Sequence, residues 1–231
     1  MCNIAIIPAR GGSKRIPRKN IKGFLGRPII AYSIDVALES QLFDMVMVST
    51  DDNEIAAIAK KYGAEVPFYR SQHMSLDTTP TAPVLTEVLG ELEKQGRAFD
   101  YVCCLYPCAP FVTSVRLKEA MNLLITSEAD SVFPVVKFSH PPQRCLVMRG
   151  KRIEMLHPEN RNTRSQDLES QYHDAGQFYC IKTSSLFKYE SILCENTIPL
   201  ILPDVEVQDI DTEQDWISAE IKYQIIQRLA K

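Results

Sequence analysis

The chain has 231 residues, enough to bury a full core as one α/β domain, and its formal net charge of −3 argues against a protein that coats nucleic acid. No apolar run approaches the ~18–20 residues of a membrane span and no leader pattern precedes Ile4, so a soluble, cytoplasmic protein is expected. Its seven cysteines are odd in number and include no C-x-x-C pair. Cys103, Cys104 and Cys108, in or beside an apolar strand pattern, read as reduced core thiols.

Asn3 to Pro8 is a short apolar run that predicts a buried strand. It empties into a loop, Ala9 to Asn20, with two adjacent glycines and five cations within ten residues. Pro28 to Ser40 predicts a helix: proline suits a first turn, and Ile30, Ile34, Ala37 and Leu38 fall on one stripe. Asp44 to Thr50 reads as a strand. Asp51 or Asp52 then caps a helix to about Tyr62, with Ile55, Ile58 and Ala59 inward and Gly63 as its stop. Glu65 to Tyr69 reads as a short strand, Arg70 to Pro83 as a polar loop and Val84 to Glu93 as a helix. Asp100 to Tyr106 is a strand broken by Pro107, Ser114 to Thr126 a helix with Leu117, Met121, Leu124 and Ile125 on one side, and Ser131 to Phe138 a strand. This alternation predicts a mostly parallel sheet covered on both faces, with right-handed crossovers.

From about 139 to 176 the alternation lapses. His140-Pro141-Pro142 stops regular structure, and Cys145–Met148 and Arg152–Met155 read as a hairpin across Arg149-Gly150-Lys151. Residues 157–173 are almost wholly polar. Within a single domain spanning 1–231, this stretch is therefore an excursion, too polar for its own core, that covers the cleft or reaches a second subunit. A strand from Phe178 to Lys182, a helix near Ser184 to Tyr189 and a strand from Thr197 to Leu202 restore the pattern. The closing helix runs from Thr212 to about Leu229, with Trp216, Ala219, Ile221, Tyr223 and Ile226 on its apolar side.

Two clusters carry the chemistry. In the opening loop, Gly11, Gly12 and Ser13 can present main-chain donors while Arg10, Lys14, Arg15, Arg18 and Lys19 surround them, a concentration of charge that calls for an anion. The spacing is neither that of a P-loop nor G-x-G-x-x-G. Near the other end, Asp209 and Asp211 stand at i and i+2, on one face of an extended segment, where they can hold a hard divalent ion beside phosphates. The other reading has Asp211 capping the last helix and Asp209 merely exposed. A cationic loop at a different strand end favours the metal.

Ile6 to Asn20, I-I-P-A-R-G-G-S-K-R-I-P-R-K-N, resembles the signature of the CMP-sialic acid synthetase family, the cytidylyltransferases of nine-carbon α-keto acids. The likeness extends through Val48-Ser49-Thr50-Asp51-Asp52, Leu105-Tyr106-Pro107-Cys108-Ala109-Pro110 and Asp209-Ile210-Asp211. It implies a three-layer αβα, nucleotide-diphospho-sugar transferase-like (Rossmann-like) fold with a small protruding arm. It also implies coupling of a nonulosonic acid to CTP with magnesium, release of pyrophosphate, and a homodimer. By the motif match, Ala9, Arg10, Gly11, Gly12, Ser13, Lys19 and Asn20 hold the nucleotide. Arg70 and Ser71 contact base and ribose, Asp209 and Asp211 bind the metal, and Arg10, Lys19 and Asp211 are catalytic.

Asn162 to Asp167 and Tyr172 to Tyr179 are similar to the pseudaminic acid branch, and Tyr106 stands where the family usually has glutamine. The sugar acid carries a carboxylate, so its site should include cations or amides, and Gln143, Arg144, Arg164, Gln166, His173, Asp174 and Gln177 are the candidates, with Tyr106 beside them. Legionaminic or N-acetylneuraminic acid as acceptor, and a non-catalytic nucleotide-binding protein on the same scaffold, are the alternatives.

Overall fold

A computed structural model of the chain describes residues 1–229. Its first element is β1 (Asn3–Pro8), an interior strand of the main sheet, whose inner residues Ile4, Ala5, Ile6 and Ile7 are fully buried because both faces of the strand are covered. Two small strands, β2 (Gly23–Phe24) and β3 (Arg27–Pro28), follow as a tight hairpin, and then α1 (Ile29–Ser40). On the two sides of β1 lie β4 (Met45–Ser49) and β5 (Tyr101–Leu105), both parallel to it, in registers running from Ile4↔Met45 to Pro8↔Ser49 and from Asn3↔Tyr101 to Ile6↔Cys104. Between them in sequence come α2 (Asn53–Lys61) and α3 (Thr81–Lys94); α4 (Ser114–Thr126) and β6 (Ser131–Lys137) follow β5.

The hairpin β7 (Leu146–Arg149) and β8 (Arg152–Met155) stands apart from the main sheet, with Gly150 at φ +62° in its turn. The chain returns through β9 (Tyr172–Asp174), β10 (Phe178–Lys182), α5 (Thr183–Tyr189) and β11 (Thr197–Leu202) to the closing α6 (Glu213–Leu229). The sheet order is β11-β6-β10-β5-β1-β4, with β9 on β6. Strand β10 runs antiparallel to both β5 and β6, and β9 antiparallel to β6, so the remaining strands share one direction.

Alternation along the strands divides the core. Ala5, Ile7, Val46, Val48, Cys103 and Leu105 pack against α1, α2 and α4, through Ile34, Ile55 and Leu117 among others. Ile4, Ile6, Met45, Met47, Val102 and Cys104 face α3 and α5, through Leu85, Leu89 and Leu186. Each fully buried aliphatic side chain contributes about 1.5–3 kcal/mol, so these layers fix the strand ends to which the functional loops attach. A third cluster ties the opening loop to α6: Ile16, Phe24 and Ile29 pack with Trp216, and the Phe24 and Trp216 rings meet edge-on at 5.7 Å. No described helix is long and apolar enough to cross a membrane.

Several sequence expectations need correction. The strand at Glu65–Tyr69 is a single bridge: Glu65 pairs with β4 through Glu65 N–H to Val46 C=O and Val48 N–H to Glu65 C=O. The next inward donor would belong to Pro67, which has none. Helix α3 starts three residues earlier than expected, at Thr81, because Pro83 falls in the first turn, where no amide donor is required. Strand β9 lies inside the polar stretch. Leu38 and Ile221 are exposed, since the inward stripe of α6 follows Trp216, Ala219, Tyr223 and Ile226.

Candidate functional site

The carboxyl ends of β1, β4 and β5 open onto one cleft, as parallel α/β sheets dictate. Beyond β1, Ala9 N–H donates to Ser49 C=O at 2.9 Å, and Arg10 begins the basic loop. Asn20, nearly buried, donates from Nδ2 to Arg10 C=O at 2.9 Å and closes the loop on itself. Two acids after β4 hold it from outside. Asp51 accepts from Gly11 N–H at 2.9 Å. Asp52 caps α2, accepting from Glu54 and Ile55 N–H, and also receives both Arg18 terminal nitrogens at 2.5 and 2.9 Å. These donors hold the Asp52 carboxyl at about 2, below its ordinary range. A Cβ on Gly11 would fall 2.8 Å from Asp52 Oδ2, so this glycine serves a close approach to protein rather than to a ligand, and its N–H is already used.

Two adjoining cavities, of about 230 and 120 Å3, share Lys19, Asn20 and Tyr106 as common wall. Arg10, Ser13, Arg70, Asp77 and Thr81 line the larger; Cys108, Gly176 and Asp209 line the smaller. Lys19 Nζ lies 3.4 Å from Asp211 Oδ1, and Arg15 Nη1 lies 2.8 Å from its Oδ2. Asp211 is therefore not the cap of α6. Thr212 takes that role: its Oγ1 accepts from Asp215 N–H at 3.2 Å, while Asp215 accepts from Thr212 N–H at 2.8 Å, a reciprocal cap. Ile210 between the two acids is buried, which turns Asp209 and Asp211 to the same side. Among the described residues the Asp209 carboxylate has no hydrogen-bond or ion-pair partner.

Arg70 is the unusual cation here. It is only 7% exposed, donates to Ser49 Oγ at 3.0 Å and Ser49 C=O at 2.5 Å, and has no carboxylate partner among the described residues. Burial lowers its pKa from the ordinary guanidinium value. A buried positive charge paired only with neutral oxygens at a cavity wall can receive an anion. A roomier cavity, about 650 Å3, lies at the other end of β5 and β10, but its cations are already committed, Arg97 to Glu65 and Lys182 to Glu128 C=O.

The sugar-side candidates divide. Tyr106 sits at the junction of the two cavities, its hydroxyl 2.9 Å from Thr81 Oγ1 and its ring edge-on to Tyr179 at 5.5 Å. Asp174 is near but engaged, accepting from Tyr179 OH at 2.6 Å and Gly176 N–H at 2.7 Å. Gln177 is buried and donates to Glu206 C=O at 2.8 Å, so it faces the core and not the cleft. Ser71 likewise turns away: its hydroxyl donates to Glu87 on the outer side of α3 at 2.8 Å. Ala9 is wholly buried and can meet a ligand only through its backbone.

Gln143, Arg164, Gln166 and His173 stand outside the two cavities of their own chain. Gln143 donates to Glu169 C=O, Arg164 faces Asp167, Gln166 is exposed, and the His173 ring packs at a tilt against Phe138, centroids 4.9 Å apart. Asp77, Thr81 and the supporting role of Asp51 escaped the sequence reading. The cap of α2 was legible from its position before an amphipathic run only as Asp51 or Asp52, and the structure assigns it to Asp52; Asp77 carried no such signal.

A family model described as Cytidylyltransferase matches residues 4–214. The pseudaminic acid cytidylyltransferase of Campylobacter jejuni is 41% identical over 226 residues, 97% of each chain. The CMP-N,N'-diacetyllegionaminic acid synthase of Legionella pneumophila is 33% identical over 225 residues, 94% of each. In fold, the structure of CMP:2-keto-3-deoxy-manno-octonic acid synthetase complexed with CTP matches with a TM-score of 0.69 at 16% identity, over 99% of this chain and 100% of that one.

Proposed function

We propose, from the premise that this chain belongs to the cytidylyltransferase family, that it transfers the cytidylyl group of CTP to the anomeric hydroxyl of a nonulosonic acid, with pseudaminic acid as acceptor. The anomeric oxygen bonds to the α-phosphorus, the bond from that phosphorus to the β-phosphate bridge breaks, and pyrophosphate leaves. The hydroxyl proton goes to Asp211 or to the acceptor's own carboxylate. The observation that carries this reading is convergence: Arg10, Lys19 and Arg70 from the first third of the chain and Asp209 from its end line one divided cleft, and Asp211 pairs with Lys19 on its wall.

The divided cleft suits two substrates. The larger cavity, with three cations and the Ser13 hydroxyl, takes the polyphosphate; Arg70, buried and without an acid partner, gives the strongest local demand for an anion. The smaller cavity takes the acceptor, and Tyr106 walls both. Such transfer depends mostly on positioning and on neutralising the charge that develops on the departing phosphates.

Asp209 and Asp211 fit magnesium, which is commonly held by one or two carboxylates together with substrate phosphates and water. Asp209 is unpartnered and Asp211 shares its charge with two flexible cations that a phosphate can attract. Bound there, the ion would add positive charge beside the pyrophosphate as it leaves. Seven free cysteines and the need for CTP favour a cytoplasmic setting.

A homodimer is part of the proposal. In the protruding hairpin, Leu146 pairs with Met155 and Met148 with Ile153, which puts four apolar residues on one face, and Leu146, Met148 and Ile153 are more than half exposed. Gln143, Arg164 and Gln166 sit on the same arm, so a second copy covering that face brings them within reach of a neighbouring cleft. The relative named CMP-N,N'-diacetyllegionaminic acid synthase keeps a second acceptor in play. Pyrophosphate release with CTP against a panel of nonulosonic acids tests the proposal: turnover with pseudaminic acid above the others supports it, and no release with any acceptor refutes it.

A further inference from the structure

One residue facing the nucleotide half of the cleft has the wrong charge for it. Asp77 lines the same cavity as Lys19 and Arg70, and its two carboxylate oxygens pair with Arg10 and Lys14. It projects from the segment between Arg70 and Thr81, which is bonded largely to itself. Ser75 Oγ donates to Ser71 C=O at 2.9 Å, Met74 N–H to Ser71 Oγ at 3.3 Å, Thr79 N–H to Leu76 C=O at 3.2 Å and Thr79 Oγ1 to His73 C=O at 3.3 Å. Among the described residues, its polar ties to the rest of the molecule are Ser71 to Glu87 and Asp77 to the two cations. Removing the Asp77 contacts would leave a compact loop attached at its two ends.

We propose that Asp77 is a gate on the polyphosphate site: without nucleotide its carboxylate takes the place of a phosphate on Arg10 and Lys14, and CTP displaces it and the loop that carries it. This rests on the CTP reading of the cleft. Asp77 and a polyphosphate cannot both hold the same two cations in a cavity of about 230 Å3 without like-charge repulsion. Arg10 and Asp77 are each about one-third exposed, so their pairing is weak enough to exchange. The gate keeps the cations oriented and compensated until a ligand of higher charge arrives, and it lowers the affinity for that ligand.

Calorimetric titration of the full chain with CTP and with tripolyphosphate, in the absence of divalent metal, tests this. Asp77→Asn should bind both about three- to tenfold tighter than wild type, the effect of releasing two partly exposed ion pairs. The gain should shrink as salt is raised. Asp77→Ser removes the charge with a different side chain and should move affinity in the same direction. Equal or weaker binding in both variants overturns the gate and makes Asp77 a support for the cations or a ligand instead. Wild-type protein that binds neither titrant without metal, nor CTP when magnesium is added, would remove the CTP reading and the gate with it; wild-type binding in either condition without tightening in the variants removes the gate alone.

Discussion

Lys19 Nζ stands 3.4 Å from Asp211 Oδ1 across 192 positions of sequence. The contact joins the basic loop after β1 to the extended segment before α6, and packing of Ile16 against Trp216 behind it holds both in place. Neither side chain alone defines a site. Together they set a cation and a carboxylate side by side, the arrangement in which charge on a phosphate can be received and passed to a departing group.

Lys19→Ala should therefore cost far more in turnover than in stability. The two side chains are 21% and 35% exposed, so loss of the pair should cost at most about 1 kcal/mol. Turnover should fall about 100-fold or more, as when a donor to developing charge is removed. Denaturant melts beside steady-state rates check this; a large loss of stability with intact turnover would assign Lys19 to the scaffold.

Arg70→Met gives a different signature. The buried guanidinium bonds only to Ser49 oxygens, and Ser49 C=O keeps Ala9 N–H as a partner after its removal. An apolar side chain of similar length removes an unpaired buried charge but leaves the buried Ser49 Oγ without this donor, so stability should stay within about 2 kcal/mol of wild type. The CTP KM should rise steeply. Thermal unfolding and a CTP titration of the initial rate decide; an unchanged KM would make Arg70 a structural cation.

Gln177→Ala should behave in the opposite way. Its amide is buried against Glu206 C=O, so the variant leaves an unmatched carbonyl and should lose about 1–3 kcal/mol. The fraction that remains folded should turn over at the wild-type rate. A raised acceptor KM at full stability would return Gln177 to the sugar site.

Asp52 gives a pH dependence. Arg18 and two amides hold its folded pKa at about 2, below the ordinary 3.8, so its contribution is complete above the unfolded value and is lost as pH falls through the folded one. Between about pH 4 and pH 2 the wild type should lose stability more steeply than Asp52→Asn. Urea midpoints across that window measure it; parallel curves would show that the Arg18 pair contributes nothing.

Much of the fold was legible because its signals are local and periodic. The apolar run of β1, an aspartate cap of α2 at Asp51 or Asp52 and its Gly63 stop (φ +94°) each follow from adjacent residues. The expected strand at Glu65–Tyr69 failed because one proline withholds the donor that would continue the ladder. Strand β9 escaped because Tyr172–Asp174 is an exposed polar edge with no buried face to mark it. At the cleft, the cations and the paired acids were legible as clusters, but the direction of a side chain was not. Gln177 and Ser71 belong to the right segments and point elsewhere, while Asp77 gains meaning only where the fold sets it against Arg10.

The most direct measurement is phosphorus NMR of the full chain with CTP, magnesium and pseudaminic acid. The account predicts loss of the three CTP signals, growth of a single phosphodiester resonance from the CMP-sugar, and pyrophosphate in equal amount. CTP signals that persist unchanged beside folded protein, or CDP and phosphate in place of the diester, would contradict it.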